Sequence, residues 1–168
     1  MFEILPTGRL FQVGIVVPDL RRALARYSQA FNLGPWIGFH FTPDNVQDFT
    51  YRGKPAEYSI EIALTTGDSP QVELVQVHGA PSLYGEWIAV HGYGIQHLGS
   101  RVDNIEAVTA ELVATGYEVL QSGHGYGLEG DGAFAYFDTM DDLGFILECI
   151  QVPRTRRQPD FVWPPSSA

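Results

Sequence analysis

The chain has 168 residues, 45% of them hydrophobic and 18% charged, a composition of globular domains rather than of disordered chains. Its 20 acidic against 10 basic side chains leave a formal charge of −10, which opposes nucleic-acid backbones and anionic membranes as partners. One cysteine, Cys149, excludes an internal disulfide and a cysteine-built zinc site, and no run of 18 apolar residues is present to span a bilayer.

The opening segment MFEILPTGRLFQVG lacks the basic start, apolar core and small-residue cleavage site of a signal peptide. A cytoplasmic address is therefore expected. Residues 11–17, FQVGIVV, read as a buried strand, short and rich in β-branched side chains. Pro18-Asp19 stops it, and the Asp19 carboxylate suits the orphan amides of a first helical turn. Leu20, Leu24, Tyr27 and Phe31 then fall on one helical stripe, and Asn32-Leu33-Gly34-Pro35 is a helix exit. Strands are expected at Trp36–Phe41, at about Ala56–Thr65 and at Val72–Val77, the last two flanking the turn Thr66–Pro70. The first half thus reads β-α-β-β-β.

The second half repeats that order. Ile95–Val102 reads as a strand, and Asp103 or Asn104 can cap the helix that follows, with Glu106 placed to close a capping box with Asp103. Ile105, Val108 and Leu112 form the helical stripe, and Gly116 ends it. Strands follow at Tyr117–Gln121, Ala133–Phe137 and Phe145–Val152. The glycine-rich stretch Ser122–Gly132 between them is expected to be a loop over a pocket. The expected organisation is one domain over 1–168, with units at 9–79 and 93–152 and an extended tail over 153–168. Arg154, Arg156 and Arg157 in that tail read as a solvated cluster or a dimer contact.

The repeat aligns particular residues. Gln12-Val13-Gly14 corresponds to His97-Leu98-Gly99, and Glu73-Leu74-Val75-Gln76-Val77 to Glu148-Cys149-Ile150-Gln151-Val152. Each half therefore carries one polar residue inside its first strand and one carboxylate inside its last. Alternation along a strand puts Glu73 with Val75 and Glu148 with Ile146 and Ile150, toward an interior. A carboxylate buried there is costly unless it is neutralised. A divalent cation would neutralise both and accept a neutral imidazole and an amide oxygen as further donors. Cys149 then faces the other side as a small hydrophobe.

The β-α-β-β-β duplication and the phrase QVGIVVPDLRRALARY resemble the vicinal oxygen chelate superfamily of glyoxalase I, methylmalonyl-CoA epimerase and extradiol dioxygenases. The resemblance spans about residues 9–152. It implies an α+β fold in which two tandem βαβββ units make an eight-stranded half-open barrel around one metal. By position the implied ligands are Gln12, Glu73, His97 and Glu148, the set found in zinc glyoxalase I; epimerases usually have His where this chain has Gln12. It implies one divalent ion, zinc favoured over nickel, cobalt, manganese or magnesium, and a homodimer.

Such a centre suits an isomerase, epimerase or lyase that works through an enolate, with the metal as Lewis acid and Glu148, or else Glu73, as base. An iron-dependent extradiol site wants two histidines and one carboxylate, and this set has one histidine. A non-catalytic, sequestering binder of small molecules is the other reading. Trp36, Phe39, Phe41, Phe49, Tyr51, Tyr58, Tyr84, Trp87, Tyr126, Phe134 and Tyr136 crowd the strands and connections, which favours a bulky hydrophobic carbonyl substrate. Arg52, Lys54 and Arg101 are the few interior-chain candidates for cationic contacts to a ligand, which disfavours a glutathione adduct or a CoA thioester. His91 and His124 sit in connections that could edge the pocket.

Overall fold

The computed structural model describes residues 9–67, 70–79 and 81–165. Asp68 and Ser69 of the expected turn, residues 1–8 and the end of the tail lie outside them. The first half runs β1 (Arg9–Val16), α1 (Leu20–Phe31), β2 (Trp36–Phe41), β3 (Gln47–Tyr51), β4 (Lys54–Pro55), β5 (Ser59–Thr65) and β6 (Gln71–His78). After α2 (Leu83–His91), the second half runs β7 (Gly94–Arg101), α3 (Ile105–Ala114), β8 (Val119–Tyr126), β9 (Gly132–Phe137), α4 (Met140–Leu143) and β10 (Ile146–Gln151), and the tail carries β11 (Phe161–Trp163). The architecture is α+β, a mixed sheet curled into a half-barrel with few helices.

All strands join one sheet in the order β11-β2-β5-β6-β1-β7-β10-β9-β8-β3-β4. The two halves read outward from the middle in the same way. β1 and β7 pair antiparallel at the centre. Each is flanked by the last strand of its own half in parallel, β1 by β6 and β7 by β10. The strands that carry Glu73, Gln12, His97 and Glu148 are therefore four consecutive neighbours.

Local chemistry sets the helices. Asp19 caps α1 by accepting from the Arg22 amide at 2.8 Å. Asn104, not Asp103, caps α3, accepting from the Ala107 amide at 2.8 Å. Leu20 and Leu24 of α1 pack with Trp36 and Leu74 against one side of the sheet, and Ile105 and Leu112 of α3 pack with Phe137, Leu147 and Cys149 in the corresponding place. Burying each such side chain stabilises the fold by about 1.5–3 kcal/mol. The other side of the sheet holds Phe39, Phe49, Tyr58, Ile60, Ile62 and Tyr136, closed at one end by Leu83 and Tyr84 of α2.

The eight strands expected are present, and the sheet has eleven. β3 and β4 come from the long connection after β2. β3 pairs with β8, where Thr50 Oγ1 and Ser122 Oγ lie 2.7 Å apart. That pairing also corrects the loop expected from Ser122: β8 continues through the glycines to Tyr126, held by β3 on one side and β9 on the other. Glycine weakens a strand by roughly 0.5–1 kcal/mol, less than ladder pairing on both sides returns. β11 forms because the tail doubles back onto β2. The Arg21 guanidinium lies over the Phe161 ring at 3.8 Å from its centroid, and Asp160 accepts from the His40 amide at 2.7 Å. Among the described residues no helix is long and apolar enough to cross a membrane.

Candidate metal centre

The register across β1 and β7 explains how the sheet can hold bulky polar groups at its middle. Gly14 lies opposite His97, and Gly99 lies opposite Gln12. On their other flanks, Gly14 neighbours Glu73 and Gly99 neighbours Glu148. Each glycine thus leaves open the space that one side chain of each half uses. A Cβ at Gly14 would lie 1.9 Å from Cε1 of His97, and one at Gly99 would lie 2.7 Å from Oε1 of Gln12. Neither space admits even a methyl group.

Three of the four expected residues converge by direct measure. His97 Nε2 lies 3.1 Å from Glu73 Oε2 and 3.2 Å from Glu148 Oε2. One donor atom from each of the three falls within 4.8 Å of the others. All three residues are buried. Gln12 faces the same pocket as both carboxylates. Its Nε2 donates to Gln71 Oε1 at 3.1 Å, and Gln71 Nε2 in turn donates to the Thr65 carbonyl at 3.2 Å. That chain of amides turns Gln12 Oε1 to the interior, where it is buried without a partner. Glu148 Oε2 has no hydrogen bond of good geometry among the described residues beyond its ionic contact with His97. On the other side of the ring, His97 Nδ1 lies 2.6 Å from Gln96 Oε1, so Nδ1–H donates and Nε2 is turned to the carboxylates.

The electrostatics favour a cation. Burial by itself would lower the affinity of His97 for a proton; the Glu148 and Glu73 carboxylates overcome it and raise the pKa to about 9. Burial raises the Glu73 pKa, against the lowering effect of its bond to His97. A protonated imidazole between two carboxylates still leaves one surplus negative charge in a buried place. A dication in place of that proton brings the sum to zero. Two carboxylate oxygens, an imidazole nitrogen and an amide oxygen without a partner match what a divalent ion takes.

A pH dependence follows, with its sign. Below pH 9 the imidazole holds a proton that an incoming cation must displace, so binding weakens as the pH falls. Zinc affinity of chelator-treated protein, measured by competition with a chromogenic chelator, is expected to rise about tenfold per unit between pH 6 and 8. A flat profile would contradict the coupling.

The pocket in front of these residues is lined by Phe39, Phe41, Tyr84, Tyr126, Phe134 and Tyr136 from the expected aromatic set, together with Phe11, Ile60, Ile62 and Leu64. The other expected aromatics lie elsewhere. Trp36 is fully buried beneath α1, and Phe49 and Tyr58 pack at a tilt behind the wall with 4.6 Å between centroids. Tyr51 bonds to Glu86, and Trp87 stacks on His91 at 4.0 Å. Strand alternation separates the two groups: Phe39 and Phe41 share one face of β2, whereas Trp36 is on the other. His124 pairs with Gln47 in the sheet, and neither it nor His91 reaches the lining. Arg52 is also elsewhere, bound to Glu86 at 2.9 Å, and Lys54 is exposed.

The cations at the pocket are Arg156 and Arg157, which sequence reading had left to solvent or to a dimer contact. A signal existed: Glu148, Ile150 and Val152 line one wall in strand alternation, which leads directly toward the tail. Tyr84 and Tyr136 bring their hydroxyls within 2.9 Å of each other. Burial, ahead of the nearby carboxylates, keeps both protonated well above the ordinary tyrosine range.

Residues 11–137 match a family model described as Glyoxalase/Bleomycin resistance protein/Dioxygenase superfamily. The match includes Gln12, Glu73 and His97 and stops short of Glu148. No curated protein matches the chain. Solved structures of similar fold include a hypothetical protein from Bacillus halodurans C-125, at 19% identity and TM-score 0.59 over 90% of this chain and 99% of that one. Methylmalonyl-CoA epimerase from Mycobacterium tuberculosis is similar at 20% identity and TM-score 0.61, over 86% and 89%. The Streptomyces coelicolor epimerase in complex with 2-nitronate-propionyl-CoA is similar at 18% and 0.57, over 85% and 96%. At such identities the likeness is one of fold.

Proposed function

The chain belongs to the glyoxalase/bleomycin resistance protein/dioxygenase superfamily, and on that premise we propose that it is a divalent-metal-dependent isomerase, epimerase or lyase acting beside the carbonyl of a hydrophobic small molecule. The observation that carries this reading is the convergence of Glu73, His97 and Glu148 under an aromatic pocket. In this reading Gln12, Glu73, His97 and Glu148 hold the cation, with zinc the favoured occupant. When bound, the cation supplies Lewis acidity to a carbonyl oxygen.

The protein groups do the rest. The aromatic wall excludes water and orients the apolar body of the substrate. Glu148, on the pocket wall beside the aromatic groups, takes the proton from the carbon beside the carbonyl and returns it to the same or a neighbouring position. Glu73, 3.1 Å from His97 Nε2 against 3.2 Å for Glu148, is the alternative base. The Tyr84–Tyr136 hydroxyl pair lines the same cavity and can donate a hydrogen bond to developing negative charge. A single histidine in the set does not favour ferrous dioxygenase chemistry.

The test is deuterium wash-in. Protein incubated in heavy water with a panel of aromatic ketones should exchange the hydrogen beside the carbonyl. Exchange should stop on chelation and return with zinc. Tight binding of such ketones with no exchange, with or without a divalent ion, would instead identify a sequestering protein.

A further inference from the structure

The tail carries three guanidiniums, and two of them are already satisfied. Arg154 pairs with Asp131 at 2.7 Å. Arg157 pairs with Asp160 at 2.6 Å and donates to the His40 carbonyl at 3.0 Å. Those bonds, with Asp160 on the His40 amide, pin the tail to β2. Arg156, held between them, faces the pocket and is half-buried. Among the described residues it has neither an ion pair nor a hydrogen bond, in a chain with twice as many acidic as basic side chains.

The charge count explains why that matters. Glu73 is near enough to favour the charged form of Arg156, and in a cation-free protein Arg156 would offset part of the acidic centre. Once a dication neutralises Glu73 and Glu148, and with Arg157 paired to Asp160, Arg156 is a surplus positive charge in a cavity walled mostly by aromatic and aliphatic groups. Arg101, exposed outside the lining, lies close enough to disfavour the Arg156 charge, and its guanidinium sits 5.0 Å from the centroid of Phe11 on the pocket wall. A partly desolvated guanidinium without a partner is a receptor for a planar or tetrahedral anion, which it binds through two parallel hydrogen bonds.

We propose that Arg156 is a specificity-determining residue that binds an anionic group, a carboxylate or a phosphate, carried by the same substrate whose carbonyl meets the metal centre. The proposal rests on the reading of Glu73, His97 and Glu148 as a cation site and narrows its substrate to hydrophobic carbonyl compounds bearing a remote anion.

Calorimetric binding tests this without depending on turnover. The probes are 3-benzoylpropionate, a ketone with a distant carboxylate, and its neutral methyl ester, each titrated into zinc-loaded protein. The wild type should prefer the acid by about tenfold or more, and the preference should shrink with rising salt. Arg156→Gln should bind acid and ester alike, whereas Arg156→Lys should keep part of the preference. Arg26→Gln, on the outer face of α1, should behave as wild type. Competition by benzoate and by phenyl phosphate then tells which anion the site favours. Zinc content, measured on the same samples, should be equal in all variants. An acid preference that survives in Arg156→Gln, or a wild type indifferent to the ester, would overturn the proposal while leaving the metal reading intact. Protein that takes up no zinc would overturn the metal reading separately.

Discussion

Replacing Glu148 by glutamine is expected to lower deuterium wash-in by about 10²- to 10⁴-fold while leaving the fold and cation uptake in place. Glutamine has the shape of glutamate and keeps an oxygen donor, so the centre can still form. What it lacks is a basic oxygen for the carbon-bound proton. Glu148 is the carboxylate to test first because its Oε2 has an ionic contact with His97 at 3.2 Å but no hydrogen bond of good geometry among the described residues. Glu73→Gln is the informative comparison. Its Oε2 is tied to His97, so that variant should weaken zinc binding more and proton transfer less. Full exchange by Glu148→Gln would remove Glu148 from the role of base.

Gly14→Ala should be strongly destabilising although it adds a single carbon. The added carbon would lie 1.9 Å from Cε1 and 2.0 Å from Nε2 of His97. The ring has nowhere to retreat. It is fully buried, Tyr136 packs edge-on against it at 5.1 Å, and Gln96 holds its Nδ1. Overpacking of this kind costs about 1–3 kcal/mol or more, a fall of roughly 3–10 °C in melting temperature for a chain of this length. Zinc affinity should fall with it, because His97 Nε2 is the atom displaced. Thermal melts with and without zinc read both effects. A variant that melts like wild type and gains the same stabilisation from zinc would show that Gly14 is not needed to seat the ring.

The centre was legible in the sequence because the repeat displays it twice. Gln12 and His97 hold one place in the two halves, and Glu73 and Glu148 hold another. Two carboxylates inside apolar strands demand a partner by simple electrostatics. The helix caps and stripes were equally local: Asp19 and Leu20, Leu24 and Trp36 need only near neighbours to be understood. The missing elements depend on distant contacts. LYGEWIAVH in α2 shows no one-sided stripe, since Leu83 and Tyr84 plug the end of the half-barrel while Val90 is exposed. β3 has only Phe49 buried among Gln47–Tyr51 and owes its existence to β8. Arg156 is legible in the sequence only as part of a basic tail cluster, not as a pocket residue. Its position depends on Arg21 over Phe161 and on Asp160 beside His40, pairs separated by more than a hundred residues, and no local pattern announces them.

The most direct test is anomalous diffraction at the zinc edge from crystals of zinc-soaked protein, with the His97→Ala variant treated alike. The account predicts one strong peak per chain, bonded to Glu73, His97 and Glu148 with Gln12 Oε1 beside it, and a peak lost or greatly weakened in the variant. No peak at that centre in the wild type, or one that persists undiminished without His97, would contradict it.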